Sequence, residues 1–249
     1  MTQPALLVNS LLPRVMESYR SGKVSDFTLA RYEEDARKII KHHQQDGEMM
    51  LGLIEGLRHD AAAVHKHYQA AVAMGDDFVI HYNFVNAFNH AYDYQAARKS
   101  VVTSLRLMNR TDPLQLNDVS STAFAYGLID ETFDLQQQLS KIKGAEFDAE
   151  FLNMMEFLKA EAVPHLQNLL MAVYGVLTAN RLVATSRSLT RIRMEDGFFI
   201  EYVIAVDESN AALLAQYQAE ADAAVSEYEQ EHGLEPTPIG FRLTRSRRV

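Results

Sequence analysis

Between Leu51 and Leu139 the side chains recur at a fixed interval. Setting Leu51 against Phe84, Tyr68 against Val101 and Ala71 against Ser104 gives a constant offset of 33 residues. A weaker third copy carries Val119, Ala123 and Gly127 at the corresponding places of its first helix. A period in this range predicts stacked helical hairpins, because a single hairpin leaves its apolar face exposed and must lean on the next. The expected fold is therefore mostly α.

The residues of the middle copy resemble the tetratricopeptide repeat, a helical-hairpin family with a period of about 34 residues. Phe84 falls on the large apolar position of the first helix, Phe88 on its aromatic, Tyr94 on the aromatic after the turn and Ala97 on the small inter-helix contact. Departures are His81 for Trp, Val85 for Gly, and Asn109 for the closing proline. The resemblance covers residues 48–140 and implies a concave surface lined by the first helix of each unit. On it the partner-choosing positions are Tyr82, Asn83, Asn86, Asn89 and His90 in the middle unit, and Asn117 and Ser121 in the third. Asn83 and Asn86 match places where chaperone-binding members hold a peptide carboxylate. Those members also place Lys or Arg close by, since charge-assisted bonds are roughly twice as strong as neutral ones. No basic residue stands at the matching positions, so a neutral groove rich in Asn and Tyr is expected instead. The competing reading is a solvated helix surface without a guest.

The C-terminal quarter changes character. Arg187–Glu195 and Phe198–Val206 have strand composition around Asp196-Gly197, a hairpin signal. Within the second strand Phe198, Ile200, Tyr202, Ile204 and Val206 share one face. Ser209 is the expected cap of a helix running from Asn210 to about His232, with Leu213 or Leu214, Tyr217, Ala221, Ala224 or Val225, and Tyr228 inward. Pro236 and Pro238 precede a last strand at Ile239–Arg245. The expected division is a helical repeat domain over 1–180 and a small ββαβ module over 185–249. Ahead of the repeats, Pro4–Tyr19 and a helix capped by Ser25 form an N-terminal pair. The second of these carries Phe27, Leu29, Tyr32, Ala36, Ile39 and Ile40 inward and stops at Asp46-Gly47. Pro164 should separate helices near 148–161 and 165–180.

Net charge of −9 disfavours bulk attraction to nucleic acid or anionic membrane. The chain has no cysteine, which excludes disulfides, thiolate metal sites and Cys nucleophiles. Its longest apolar run, Leu169–Ala179, is well short of the roughly 20 residues of a membrane helix, and the first residues lack a basic signal region. A cytoplasmic location is the expectation.

Three chemical constellations compete with a binding function. The nine histidines show no metal-ligand spacing, the one local pair at i, i+4 being Glu55 with His59, so no metal and no cofactor are expected. Arg37 and His42 have the Arg-x4-His spacing that resembles the active motif of HEPN-type ribonucleases, where the His would serve as acid or base; the bland alternative has Arg37 solvated beside Glu33 and Glu34. Arg191, Arg193, Arg242 and Arg245 could offer a basic sheet face to phosphates or to an acidic protein, or form a homodimer interface; alternatively they pair with Glu195, Glu201 and the acidic helix. The reading these features favour is a non-enzymatic adaptor, regulator or chaperone-like factor that grips another protein or peptide. The ribonuclease and a nucleic-acid binder are its rivals.

Overall fold

A computed structural model describes residues 4–145, 147–160, 165–194, 197–235 and 239–246, apart from the side chains of 4–6, 160, 191–194 and 197–198. The chain is mostly helical, with a small three-stranded sheet near its C-terminus. It divides into two compact units, the first ending at Leu107 and the second starting at Met108.

The first unit holds α1 (Pro4–Ser21), α2 (Asp26–Ile40), α3 (Gln44–Leu57), α4 (Ala61–Val72), α5 (Phe78–His90) and α6 (Tyr94–Leu107). Helix α3 is its centre and touches α1, α2, α4 and α5. Close approach is possible because α3 carries glycines where its neighbours arrive. A Cβ on Gly47 would lie 2.7 Å from the backbone nitrogen of Ile40, and one on Gly56 would lie 2.8 Å from Cα of Ala87. Asp46-Gly47 accordingly sits inside the first turns of α3 rather than ending α2, which closes at Lys41. Ser25 caps α2 as expected, its hydroxyl accepting from the Thr28 amide at 3.2 Å. Leu29, Tyr32, Ala36 and Ile39 form the buried stripe, whereas Phe27 is 73% exposed. Two residues before Leu29, Phe27 points away from that stripe on a helix turning 100° per residue.

The 33-residue interval reappears in the turns. His59 after α3 and Tyr92 after α5 both adopt a left-handed backbone, with φ of 60° and 63°. The following aspartates, Asp60 and Asp93, each send their amide back five positions in the closing bond of the helix, to Glu55 O at 3.1 Å and Phe88 O at 2.9 Å. Both then cap the next helix, Asp60 accepting from the Ala63 amide at 3.0 Å and Asp93 from the Ala96 amide at 2.9 Å. The His59 ring stacks on Tyr92 at 5.0 Å. Between the hairpins Phe84 fills the space that Gly52 leaves open, and Tyr68 meets Phe84 and Phe88 edge-on.

The second unit holds α7 (Pro113–Ala125), α8 (Ile129–Ser140), α9 (Ala149–Ala160), α10 (Leu166–Ala179), β1 (Ala184–Met194), β2 (Gly197–Val206), α11 (Ala211–Glu231) and β3 (Ile239–Arg245). The turn between α7 and α8 uses Gly127 at φ 71° and the same backward bond, Leu128 N–H to Ala123 O at 3.1 Å. Strand order is β1-β2-β3, antiparallel in the first pair and parallel in the second, with α11 as the crossover. The order strand, strand, helix, strand is the one expected from sequence. Asn210, not Ser209, caps α11, accepting from the Ala212 and Leu213 amides. Only Ala221 of that helix is fully buried, flanked by half-buried Leu214, Tyr217, Ala224, Val225 and Tyr228. Gln218 seals the outer edge of β3, donating to Phe241 O at 2.8 Å and accepting from the Leu243 amide at 2.7 Å.

The buried face of the sheet carries Ile200, Tyr202, Ile204, Val206, Ile239, Phe241 and Leu243. Tyr202 donates to Phe124 O at 2.9 Å, and its ring lies 5.2 Å from that of Phe124 on α7. The compact unit therefore begins near α7, well before the change in composition near residue 180. Pro164, Asp196, Pro236 and Pro238, and the side chain of Phe198, lie outside the described residues. Among the described residues no helix is long and apolar enough to cross a membrane.

Helix α10 supplies an internal reference for the packed glycines of α3. A Cβ on Gly175 would meet nothing within 4 Å. Gly175→Ala should therefore raise stability by about 0.5–1 kcal/mol through helix propensity alone, read as a higher urea midpoint with unchanged slope.

Candidate functional site

On α5 the face expected to meet a partner is largely closed. Eight of its thirteen residues are buried, among them Asn83 and Asn89, each 8% exposed. Asn83 donates to Val79 O of its own helix at 2.9 Å. Both amides are thereby held away from solvent in this conformation. Tyr82, Asn86 and His90 are half-buried and follow the exposed Val79 along one stripe of the helix, with Tyr82 stacked on Phe78 at 5.4 Å. An aromatic and amide strip of this width can lie against an apolar or polar chain, but it offers no charge.

On α7 the expected positions are open. Asn117 and Ser121 are exposed, and the Ser121 hydroxyl is turned back to donate to Asn117 O at 3.0 Å. One turn earlier Leu114 is 76% exposed, directly after Pro113 at the helix start. Asn117 also borders an open depression of about 640 Å3 whose other lining residues, Phe147, Asp148, Ala149 and Glu150, come from the start of α9. Helices α7 and α9 meet through Phe124 and Phe151, edge-on at 5.3 Å. The sequence signals here were Phe147, in the lining just ahead of the Asp148 cap, and Leu114, after the helix-opening proline and one turn before the lining residue Asn117. Neither belongs to the repeat pattern, so neither stood out.

The arginines proposed as one sheet face are separated by the topology. Strands β1 and β3 flank β2 on opposite sides, so the backbone at Arg191 and Arg193 has the central strand between it and Arg242 and Arg245. Sequence alone could not place β3, because a parallel partner joined through a helix leaves no local turn signal. Arg242 is paired with Glu201 at 2.8 Å. The side chains of Arg191 and Arg193 lie outside the described residues. A different arginine has a notable setting: the Arg187 guanidinium lies 5.7 Å from the ring centres of both Tyr126 and Tyr174, and its Nε donates to the Tyr174 hydroxyl at 3.0 Å. Burial raises the Tyr174 phenol above its ordinary value, and the nearby guanidinium opposes that shift.

Arg37 is bound to Glu33 on its own helix. Glu33 also receives Arg58 at 2.8 Å, and Arg58 reaches Glu55 at 2.6 Å, so these charges tie α2 to the end of α3. No hydrogen bond or ring contact joins Arg37 to His42, which is exposed in the turn after α2. The hydrogen bonds from Arg58 and Arg37 hold the Glu33 carboxyl below its ordinary value. A depressed carboxyl contributes stability above its unfolded value and loses it as pH falls through the folded one, which lies below the ordinary 4.5. Glu33→Gln should therefore cost less than about 1 kcal/mol near neutrality and nothing once the carboxyl is protonated. Melting curves of the two proteins from pH 7 down to pH 3 check this.

The histidines meet carboxylates one at a time. His65 Nε2 lies 2.8 Å from Asp93, His67 Nδ1 2.7 Å from Glu48, and His81 Nε2 3.2 Å from Asp76. Each contact joins neighbouring helices or turns of the first unit. Among the described residues no group of three or more His, Asp or Glu could hold a metal ion. No protein-family model, no curated protein and no solved structure matches this chain.

Proposed function

We propose that the chain is a protein-binding adaptor or regulator whose helical hairpins are tetratricopeptide-like and whose working positions are the half-buried or exposed ones on the first helix of each hairpin. In the first unit these are Tyr82 and Asn86, and in the second Asn117 and Ser121. The observation that carries the reading is the outward face of α7, where Leu114, 76% exposed, precedes exposed Asn117 and Ser121. Single exposed apolar residues are ordinary on a protein surface, so the weight lies in the combination of the leucine with an exposed amide and hydroxyl on one helix face. The buried amides Asn83 and Asn89 take no part in this surface.

Exchange of surface residues for arginine away from packed features changes stability by no more than about 0.5 kcal/mol. Asn117→Arg, at an exposed position, should therefore fold with wild-type circular dichroism and melting, and Asn86→Arg, at a half-buried one, should keep wild-type circular dichroism with a somewhat lower melting point. Affinity purification of each from the native host should recover fewer partners than the wild type, with the loss larger for Asn117→Arg. A partner retained undiminished by both variants would count against this surface.

A further inference from the structure

The depression beside α7 has a sign. Of its five lining residues, Asp148 and Glu150 are acidic and none is basic, and Asp118 stands exposed next to Asn117. Among the described residues none of these three carboxylates has a basic partner in an ion pair. The start of α9 does not reverse the sign. Its exposed amides are taken by its own cap, Asp148 Oδ1 accepting from Glu150 at 2.9 Å and Phe151 at 3.0 Å. What remains outward in the lining is a pair of carboxylates beside Phe147, 43% exposed, while Leu114, 76% exposed, stands outside the lining one turn before Asn117. Leu114 and Asn117 are one turn apart and share a helix face, so the apolar and polar parts can meet one ligand.

We infer that this depression takes a short segment of a partner protein bearing a large apolar side chain flanked by arginine or lysine. The apolar residue covers Leu114 and Phe147, and the flanking cations neutralise Asp118, Asp148 and Glu150. The inference rests on the adaptor reading above and adds the chemistry of its partner. Apolar burial supplies attraction without direction, whereas the unpaired carboxylates select against neutral or acidic segments of the same shape. An acidic chain terminus, the ligand of carboxylate-holding relatives of the repeat, would be repelled here.

The test uses the full chain and three fluorescent peptides with a common Leu-Phe core, flanked by arginines, glutamines or glutamates. Anisotropy at physiological salt should show binding of the arginine peptide and about tenfold weaker binding of the glutamine peptide, as expected for two or three exposed ion pairs. Asp148→Asn combined with Glu150→Gln removes two charges while keeping the helix cap, because asparagine caps as well as aspartate. That variant should lose most of the preference for arginine, and Leu114→Ser should weaken all peptides that bind. Glu227→Gln with Glu231→Gln on α11 removes the same charge elsewhere and should leave affinity within about twofold. Equal loss in the α11 control would show that only the net charge attracts the peptide, and the proposal fails. Site-dependent binding of the glutamine peptide as tight as the arginine peptide overturns the charge assignment but leaves the adaptor reading standing. Binding of none of the three overturns the depression as a site, and the Asn117→Arg purification then decides the adaptor reading separately.

Discussion

Gly56→Ala should destabilise the first unit by about 2–3 kcal/mol, although alanine is the better helix former by about 1 kcal/mol. The added methyl would lie 2.8 Å from Cα and 2.9 Å from the carbonyl oxygen of Ala87 on α5, and against the Tyr19 hydroxyl. Backbone cannot rotate away as a side-chain tip can. Helices α3 and α5 must separate, or α3 must shift and disturb the Tyr19 bond to Leu53 O. The contrast with Gly175→Ala is what gives the result meaning: the same chemical change raises stability where the helix faces open space and lowers it where two helices touch. Urea denaturation of the two variants side by side checks both signs. A Gly56→Ala protein as stable as wild type would mean that α3 and α5 are not packed at this distance.

Removing the ring that joins the first two hairpins should cost still more. Phe84 is fully buried, meets Tyr68 at 5.0 Å, and lies where a Cβ on Gly52 would be 2.5 Å from its Cζ. Phe84→Ala should lower stability by about 3–5 kcal/mol through lost transfer energy and the cavity left behind. The close fit also predicts the sign of a coupling. Gly52→Ala alone is a clash, but in the Phe84→Ala background its methyl enters the emptied space. The double variant should therefore be more stable than the sum of the single effects indicates, by at least about 1 kcal/mol. Additive effects would separate the two residues.

That pair also shows what could be read from the sequence. The interval of 33 residues located Phe84 and the hairpin it belongs to, because one apolar face must be buried in each copy and selection of side-chain size leaves a period. The interval also holds at His59 and Tyr92, and at Asp60 and Asp93, where equivalent turns need the same left-handed residue and the same cap. Those turns would have been recognisable from the sequence had the left-handed position held glycine, as it does at Gly127. Asp46-Gly47 misled for the opposite reason. Glycine serves both to end helices and to let them approach, and only the arrival of Ile40 distinguishes the two.

The candidate surface was less legible. A pattern of outward positions names residues that leave the hairpin's own core, not residues that reach solvent. Asn83 and Asn89 left the one and did not reach the other. Asn117 and Ser121 are exposed, but the features that give their surroundings a chemical character, Leu114, Phe147 and the carboxylates at the start of α9, come from outside the repeat. The backbone positions of the sheet arginines lie on two strands either side of β2, because strand order is a long-range property. Arg242 found Glu201 on the neighbouring strand, one of the in-house partners that the charge pattern made available.

Because the chain contains no cysteine, single thiols can be introduced as reporters without background. The measurement is maleimide labelling of Asn117→Cys, Ser121→Cys and Asp222→Cys, free and in complex with whatever partner is retained by the wild type. Positions 117 and 121 should label as fast as 222 in the free protein and be protected at least tenfold in the complex, with 222 unchanged. Slow labelling of 117 and 121 in the free chain, or no protection in the complex, would contradict a protein-binding role for the α7 surface.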